Sequence, residues 1–210
     1  VKAMHKGFKL SGGNYYSGQS VTNIEFLEPG FRIHTENNSY IAEKLVIAGG
    51  LVSKKLGKMV DIDVPVGPER GQVLVTERTK KILPLPAGRI RQNFDGSFMF
   101  GNSNEDVGYN IETTSEVMKK IAHRAIRTFP FLKNLQLIRS WSALRVLTPD
   151  RNPVYVESKT CPGAFAVTSH SGVSLASVHS SNLGEWIIEG SHQAKFEVFH
   201  PRRFDVPKTA

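Results

Sequence analysis

The stretch Leu45-Val46-Ile47-Ala48-Gly49-Gly50 decides the fold. A short apolar run with β-branched residues, too short for a helix, predicts a strand buried on both faces of a parallel sheet. Gly49 and Gly50 lack a Cβ, so the backbone can turn there and let another body come close. In an open α/β sheet, ligands bind outside the carboxyl ends of the strands, where Gly49 and Gly50 fall. Taken alone, the segment fits an ordinary buried strand and loop equally well.

Working outward toward the start of the chain, Tyr40 to Ala42 leads into this strand. Phe31 to Thr35 and Val21 to Phe26 alternate apolar and polar residues, the period of half-buried strands. Glu28-Pro29-Gly30 turns the chain between them. The opening segment, Val1 to Leu10, reads as a helix stopped by Ser11-Gly12-Gly13. A chain that opens on Val1 inside a helix is expected to have further sequence ahead of it, or a partner segment.

Toward the end of the chain, Asp61 to Pro68 carries two prolines and a glycine and marks a crossing between lobes. Gly71 to Glu77 and Ile90 to Phe94 read as strands, and Asp95-Gly96 is a hairpin signal returning through Ser97 to Gly101. Thr113 and Glu116 predict a capping box for a helix whose apolar positions are Val117, Met118, Ile121, Ala122, Ala125 and Ile126, ended at Phe129-Pro130. Leu135 to Leu147 and Ala164 to Thr168 read as strands. The latter is followed by Ser169-His170-Ser171-Gly172 and a helix expected from about Val173 to Glu189. From His192 the chain turns basic and proline-bearing and reads as an arm. The fold class is therefore α/β of mixed α+β character, with an antiparallel sheet beside a parallel one.

Composition limits the function classes. The net charge is +8, but the basic residues are scattered in pairs rather than in a block, and aromatic residues do not interleave with them as in a nucleic-acid module. No nucleic-acid partner is expected. Cys161 is the single cysteine, which excludes an internal disulfide and a cysteine zinc cluster and fits a reducing, cytoplasmic setting. The seven histidines show no metal-ligand spacing, and no apolar run is long enough to span a membrane.

Three places can carry chemistry. Gly49 and Gly50 are the first. The second is the turn at Ser169 to Gly172, where a helix start would offer free N–H groups to an electron-rich partner, or would simply be capped by serine. The third is Trp141 to Asp150, in which Trp141, Ala143 and Arg145 share one side of a strand. Arg145 sits among apolar neighbours and needs an anion, either a ligand carboxylate in fork geometry or an internal carboxylate. His170 is the one histidine placed at such a turn.

In order and spacing, Val21 to Glu25, Glu43 to Gly50, Pro68 to Glu77, Asp95 to Gly108, Trp141 to Asp150 and Ser169 to Ala176 resemble the later two-thirds of FAD-dependent amino-acid and amine oxidoreductases. The group is that of D-amino-acid oxidase, glycine oxidase and sarcosine oxidase, with the flavin subunits of opine and hydroxyproline dehydrogenases. The resemblance implies FAD as cofactor, held by Val21, Ala48, Gly49, Gly50, Ser171, Gly172, Val173, Ser174 and Leu175. It implies a substrate carboxylate on Arg145, with His170 and Arg91 beside the substrate, and no obligatory catalytic base. A hydride equivalent would pass from the substrate to flavin N5, leaving an imine for water to hydrolyse. Residues 1–60 and 146–197 would form part of an FAD-binding, Rossmann-like lobe, 61–145 a substrate lobe, and 198–210 a basic tail. The family's G-x-G-x-x-G turn is absent from the 210 residues. A partner subunit or an upstream FAD-binding segment is therefore expected, and a non-catalytic assembly piece is the alternative.

Overall fold

The computed structural model describes residues 1–191 and 193–205. In chain order they form α1 (Lys2–Leu10), β1 (Val21–Phe26), β2 (Phe31–Thr35), β3 (Ser39–Ala42), β4 (Leu45–Ile47), α2 (Ser53–Gly57), β5 (Gly67–Arg78), β6 (Ile90–Gln92) and β7 (Ser97–Gly101). There follow α3 (Ser115–Thr128), β8 (Leu137–Leu147), β9 (Val154–Glu157), β10 (Ala164–Thr168), α4 (Ala176–Val178), α5 (Gly184–Glu189) and α6 (Gln193–Phe196). The chain divides into two compact units, one comprising Val1–Val64, Val154–Val167 and Leu175–Ala210, the other Pro65–Pro153 and Thr168–Ser174.

The first unit holds two small sheets. β1, β2 and β3 form an antiparallel meander, in register through Ile24↔Ile33 and Ile33↔Tyr40. Gly30 has a φ of +97°, which a side chain would resist, and its carbonyl accepts from Leu27 N–H at 2.8 Å to close the turn. β4 pairs in parallel with β10, Ile47 opposite Ala166, and β10 lies between β4 and β9. The expectation of a parallel strand at Leu45 holds, but not that of full burial. β4 is an edge strand of three residues, so only Ile47 is buried, and Val46 is 44% exposed. The central strand β10 is the one with the apolar, buried run.

α4 passes through a π-helical stretch (His179–Leu183) into α5, and its inner residues Leu183 and Trp186 pack with Tyr155, Phe165 and Phe196. Phe196 stacks on Trp186 with ring centroids 5.3 Å apart. The segment expected as an arm is thus seated by a buried aromatic ring through residue 196. His192 and residues 206–210 of that expected tail lie outside the described residues.

The second unit is a four-stranded antiparallel sheet in the order β6-β7-β5-β8, with α3 on one face. Residues alternate sides along a strand, so Arg70, Gln72, Leu74 and Thr76 turn toward the helix side, where all four are buried. Leu74, Ile90, Phe98 and Phe100 meet Ile121, Ala125 and Leu132 there. Burying the fully enclosed Phe98 ring contributes about 2–3 kcal/mol. The hairpin expected at Asp95-Gly96 is present, with Gly96 at a φ of +90°. α3 starts one residue later than a Thr113 cap would place it. Its N-cap is Thr114, with no side-chain capping bond, because Thr114 is engaged by Gln72, and Glu116 pairs instead with Lys120 at 2.6 Å.

Candidate functional site

The second face of this sheet carries the side chains opposite the core. Cross-strand pairs point the same way, so Glu69↔Arg145, Gly71↔Ala143, Val73↔Trp141 and Arg91↔Met99 share that face. Arg145 and Glu69 are largely buried, at 19% and 14% side-chain exposure. Arg145 Nη1 donates to Glu69 Oε1 at 3.2 Å and to the Arg70 carbonyl at 3.4 Å. The guanidinium lies across Gly71, where a Cβ would stand 2.3 Å from Nη2. A glycine at 71 is what lets the arginine lie flat on the sheet. Among the described residues Arg145 makes its hydrogen bonds through Nη1, which leaves Nη2 and Nε for another acceptor. Glu69 also accepts from Arg151 Nη2 at 2.6 Å and from Asn104 Nδ2 at 2.6 Å. Burial pushes the Glu69 carboxyl up, but the bonds from Asn104 and Arg151 and the charges of Arg151 and Arg145 outweigh it and hold it below the usual carboxylate range.

Directly beneath, on the helix side of β5, lies a second ion pair. Arg70 Nη2 meets Glu105 Oε2 at 2.6 Å, and Gln72 Nε2 reaches both Glu105 oxygens at 3.1 Å. Gln72 also accepts from Thr114 N–H at 3.0 Å. Burial raises the Glu105 pKa, but bonds from Arg70, Ser103 and Gln72 and the Arg70 charge carry it below its ordinary value. Sequence reading missed this network. The alternation of Arg70 and Gln72 with Leu74 was the available signal, since it puts polar groups on a buried face that must be satisfied.

A cavity of about 350 Å³ opens on the second face, lined by Val73, Arg89, Arg91, Met99, Gly101 and Asn102 among others. Arg91 is exposed and its Nη2 lies 3.2 Å from Met99 Sδ. The structure puts Arg91 and Arg145 on one face but not in one place. The register separates them by three strand spacings and six residues, about 25 Å of backbone. They do not share one small carboxylate.

The residues expected to hold the cofactor fall in both units. Val21 opens β1 beside a register shift, and Ala48 and Gly49 are exposed after β4, with Gly50 half-buried at a φ of +62°. Ser53, fully buried, has an Oγ with no hydrogen-bond partner, 3.6 Å from where a Gly49 Cβ would stand. Leu175 belongs to the first unit, whereas His170, Ser171, Gly172, Val173 and Ser174 belong to the second. The helix expected from Val173 begins only at Ala176, so Gly172 is not at a helix N-terminus. Ser171 to Ser174 are exposed turn residues, Val173 at 91%. Serine and glycine favour turns over helix, and Val173 has no core seat to repay helical ordering. His170 is exposed, with Nδ1 3.4 Å from Ser171 Oγ. The bare, exposed backbone at Ala48-Gly49 fits one flank of a dinucleotide. The glycine-rich turn for its pyrophosphate is not among the 210 residues. No group of described residues could hold a metal ion, and no helix among them is long and apolar enough to cross a membrane.

The sequence profile of the FAD dependent oxidoreductase family, DAO, matches residues 1–186, and the chain belongs to that family, whose cofactor is FAD. Among its relatives, an opine oxidase subunit from Agrobacterium tumefaciens (strain Ach5) is 37% identical over 202 residues, 96% of this chain and 54% of the relative. The fold matches L-proline dehydrogenase from P. horikoshii at a TM-score of 0.88 and 20% identity, covering 97% of this chain and 58% of that one. Glycine oxidase from Bacillus cereus ATCC 14579 matches at 0.81 and 25% identity, with 89% and 53% covered. The chain thus spans little more than half the length of these relatives.

Proposed function

We propose that the chain is the substrate-bearing part of an FAD-dependent enzyme that oxidises the C–N bond of a small amino acid or secondary amine carrying a carboxylate. One observation carries this reading: the Arg145 guanidinium, laid over Gly71 with Nη1 tied to Glu69 and its other donors free. A guanidinium pinned at one nitrogen loses little freedom on taking a carboxylate in fork geometry at the others. Glu69 thereby orients Arg145, and Arg145 orients the carbon next to the substrate nitrogen. When bound, the flavin accepts two electrons from that carbon as a hydride equivalent. Ala48, Gly49 and Gly50 with Val21 are the residues that would hold FAD, and Ser171, Gly172, Val173, Ser174 and Leu175 would lie against it. His170 and Arg91 are assigned to the substrate side.

Similarity to a protein named as an opine oxidase subunit supports a secondary amine as substrate and a partner subunit in the assembly. The single thiol, Cys161, supports a cytoplasmic setting. The test is Arg145→Ala in the FAD-loaded holoenzyme. The KM for carboxylate-bearing amines should rise by at least tenfold, and an unchanged KM would overturn the assignment. The alternative, a non-catalytic assembly piece, is supported by the missing glycine-rich turn. A purified assembly without flavin absorbance bands would favour it.

A further inference from the structure

One end of the antiparallel sheet in the second unit is apolar and basic at once. β5 and β6 finish there and β7 and β8 start there, so the end is three strand spacings wide, about 15 Å. Phe94 stands at the corner of the β6–β7 turn, which Gly96 N–H closes on the Asn93 carbonyl at 3.1 Å. At 104% it is as exposed as in an unfolded chain. Ile82 and Leu85, in the loop from β5 to β6, and Leu137 and Ile138, opening β8, are each at least half exposed. Five large apolar side chains gathered at one end of a small sheet mark an interaction surface rather than scattered exposure. The loop is fixed to the hairpin by one side chain. Gln92 Oε1 accepts from Ile82 and Leu83 N–H at 2.8 and 3.0 Å, and Gln92 Nε2 donates to the Lys80 and Gly96 carbonyls at 2.8 and 3.0 Å. Leu83 packs on the core while Ile82 faces out. The tips therefore stand on a fixed frame, and little ordering is left to lose on binding.

The charge around these tips has one sign. Residues 78–94 hold five lysine and arginine residues and no acid, and residues 128–139 add Lys133 and Arg139, again with no acid. The two flanking acids are engaged. Asp95 Oδ1 accepts from Ser97 N–H and Oγ at 3.0 and 2.7 Å, and its Oδ2 lies 3.5 Å from Arg78 Nε. Glu77 Oε1 accepts from Gln136 N–H at 2.9 Å. Among the described residues no carboxylate pairs with Lys80, Lys81, Arg91 or Arg139. Lys81 Nζ stands 5.8 Å from the centroid of the Phe94 ring, so the most exposed apolar tip carries a cation beside it.

We infer that this end of the sheet docks on an anionic lipid surface, with Phe94 entering the boundary between headgroups and acyl chains and Lys80 and Lys81 meeting the lipid phosphates. An apolar tip projecting from a basic surround combines the two attractions that such a surface offers, burial of apolar area and neutralisation of lipid charge. A projecting turn suits a deformable bilayer better than the closely packed, complementary face of another protein. Docking of this kind needs no spanning helix.

The test is co-sedimentation of the FAD-loaded holoenzyme with vesicles of phosphatidylcholine alone and of phosphatidylcholine containing about 30% phosphatidylglycerol. The wild type should sediment with the anionic vesicles and stay in solution with the neutral ones. Lys80→Gln with Lys81→Gln should weaken binding about 25-fold, about fivefold for each cation lost, and Phe94→Ser about fivefold. Phe94→Trp should bind like the wild type and gain an emission that bromine-labelled acyl chains quench. Lys80, Lys81 and Phe94 are exposed, so without vesicles Tm and the KM for a soluble amine should match the wild type in every variant. A wild type that ignores anionic vesicles would overturn the inference, and is the outcome if a partner subunit or a second copy covers this end. So would binding that Phe94→Ser leaves unchanged, which is attraction by charge alone, or a tryptophan at 94 that the lipid does not quench.

Discussion

Gly71→Ala is the most direct probe of the arginine clamp. The added Cβ would stand 2.3 Å from Arg145 Nη2, 2.6 Å from Cζ and 2.7 Å from Nη1, against ordinary contacts of about 3.4 Å or more. The backbone at 71 is not in the left-handed region, so alanine itself is unstrained. The guanidinium, at the free end of a flexible side chain, is what moves, by about 1 Å. That carries Nη1, now 3.2 Å from Glu69, out of hydrogen-bond range. Losing this partly buried pair costs about 1 kcal/mol. Replacing glycine in the unfolded chain returns about 0.4–1 kcal/mol. Stability should therefore change little, with Tm moving by no more than a few degrees.

Substrate binding should not be spared by Gly71→Ala. A displaced charged donor loses about 1.5–3 kcal/mol, which raises KM about 10- to 150-fold. Because the contact is made equally in ground and transition states, kcat should move less. The assay is steady-state amine oxidation by the holoenzyme beside a thermal melt. A large fall in Tm with KM unchanged would refute the reasoning, because it would make Gly71 a packing residue and not a clearance for Arg145.

Other substitutions and conditions probe the scaffold. Arg70→Met leaves the Glu105 carboxylate buried without its cation and should destabilise by about 3–5 kcal/mol in urea unfolding. A loss below 1 kcal/mol would show the pair to be solvated. Phe98→Ala should cost about 3–5 kcal/mol by the same method, since the ring is fully enclosed by the α3 face. Acid should weaken the second unit. Glu69 and Glu105 have folded pKa values below their ordinary 4.5, so the unfolded chain binds more protons. Their stabilisation is present above that value and is lost as pH falls through the folded values, and a Tm that climbs on acidification would contradict this. His179, whose Nε2 lies 2.8 Å from the Tyr155 hydroxyl, has its pKa lowered by burial from 6.5. Its contribution is present above 6.5 and declines as pH drops through the folded value. Trp186 fluorescence in a Trp141→Phe background should report that loss, and His179→Gln should flatten it.

Legibility followed the range of the interactions. The Asp95-Gly96 hairpin and the apolar positions of α3 are local patterns with a period or a turn residue to mark them, and they were readable. The cap at Thr114 was not, because a residue 42 positions away, Gln72, draws on its polar groups. The helix expected at Val173 starts at Ala176 for want of a core contact, which no window of sequence shows. Within the site, Arg145 was visible as an arginine among apolar neighbours, whereas Arg91 came only with the family resemblance.

Sequence alone determined the alternation that builds the antiparallel sheet, the small residues closing β4, and the requirement that Arg145 find an anion. Each follows from the chemistry of neighbouring residues. Only the tertiary structure decided that Glu69 is the anion that pins one nitrogen, that Gly71 makes room for the guanidinium, and that Arg91 lies well along the sheet from Arg145. Those facts depend on the register between strands distant along the chain. One residue of slip would put every one of these side chains on the opposite face.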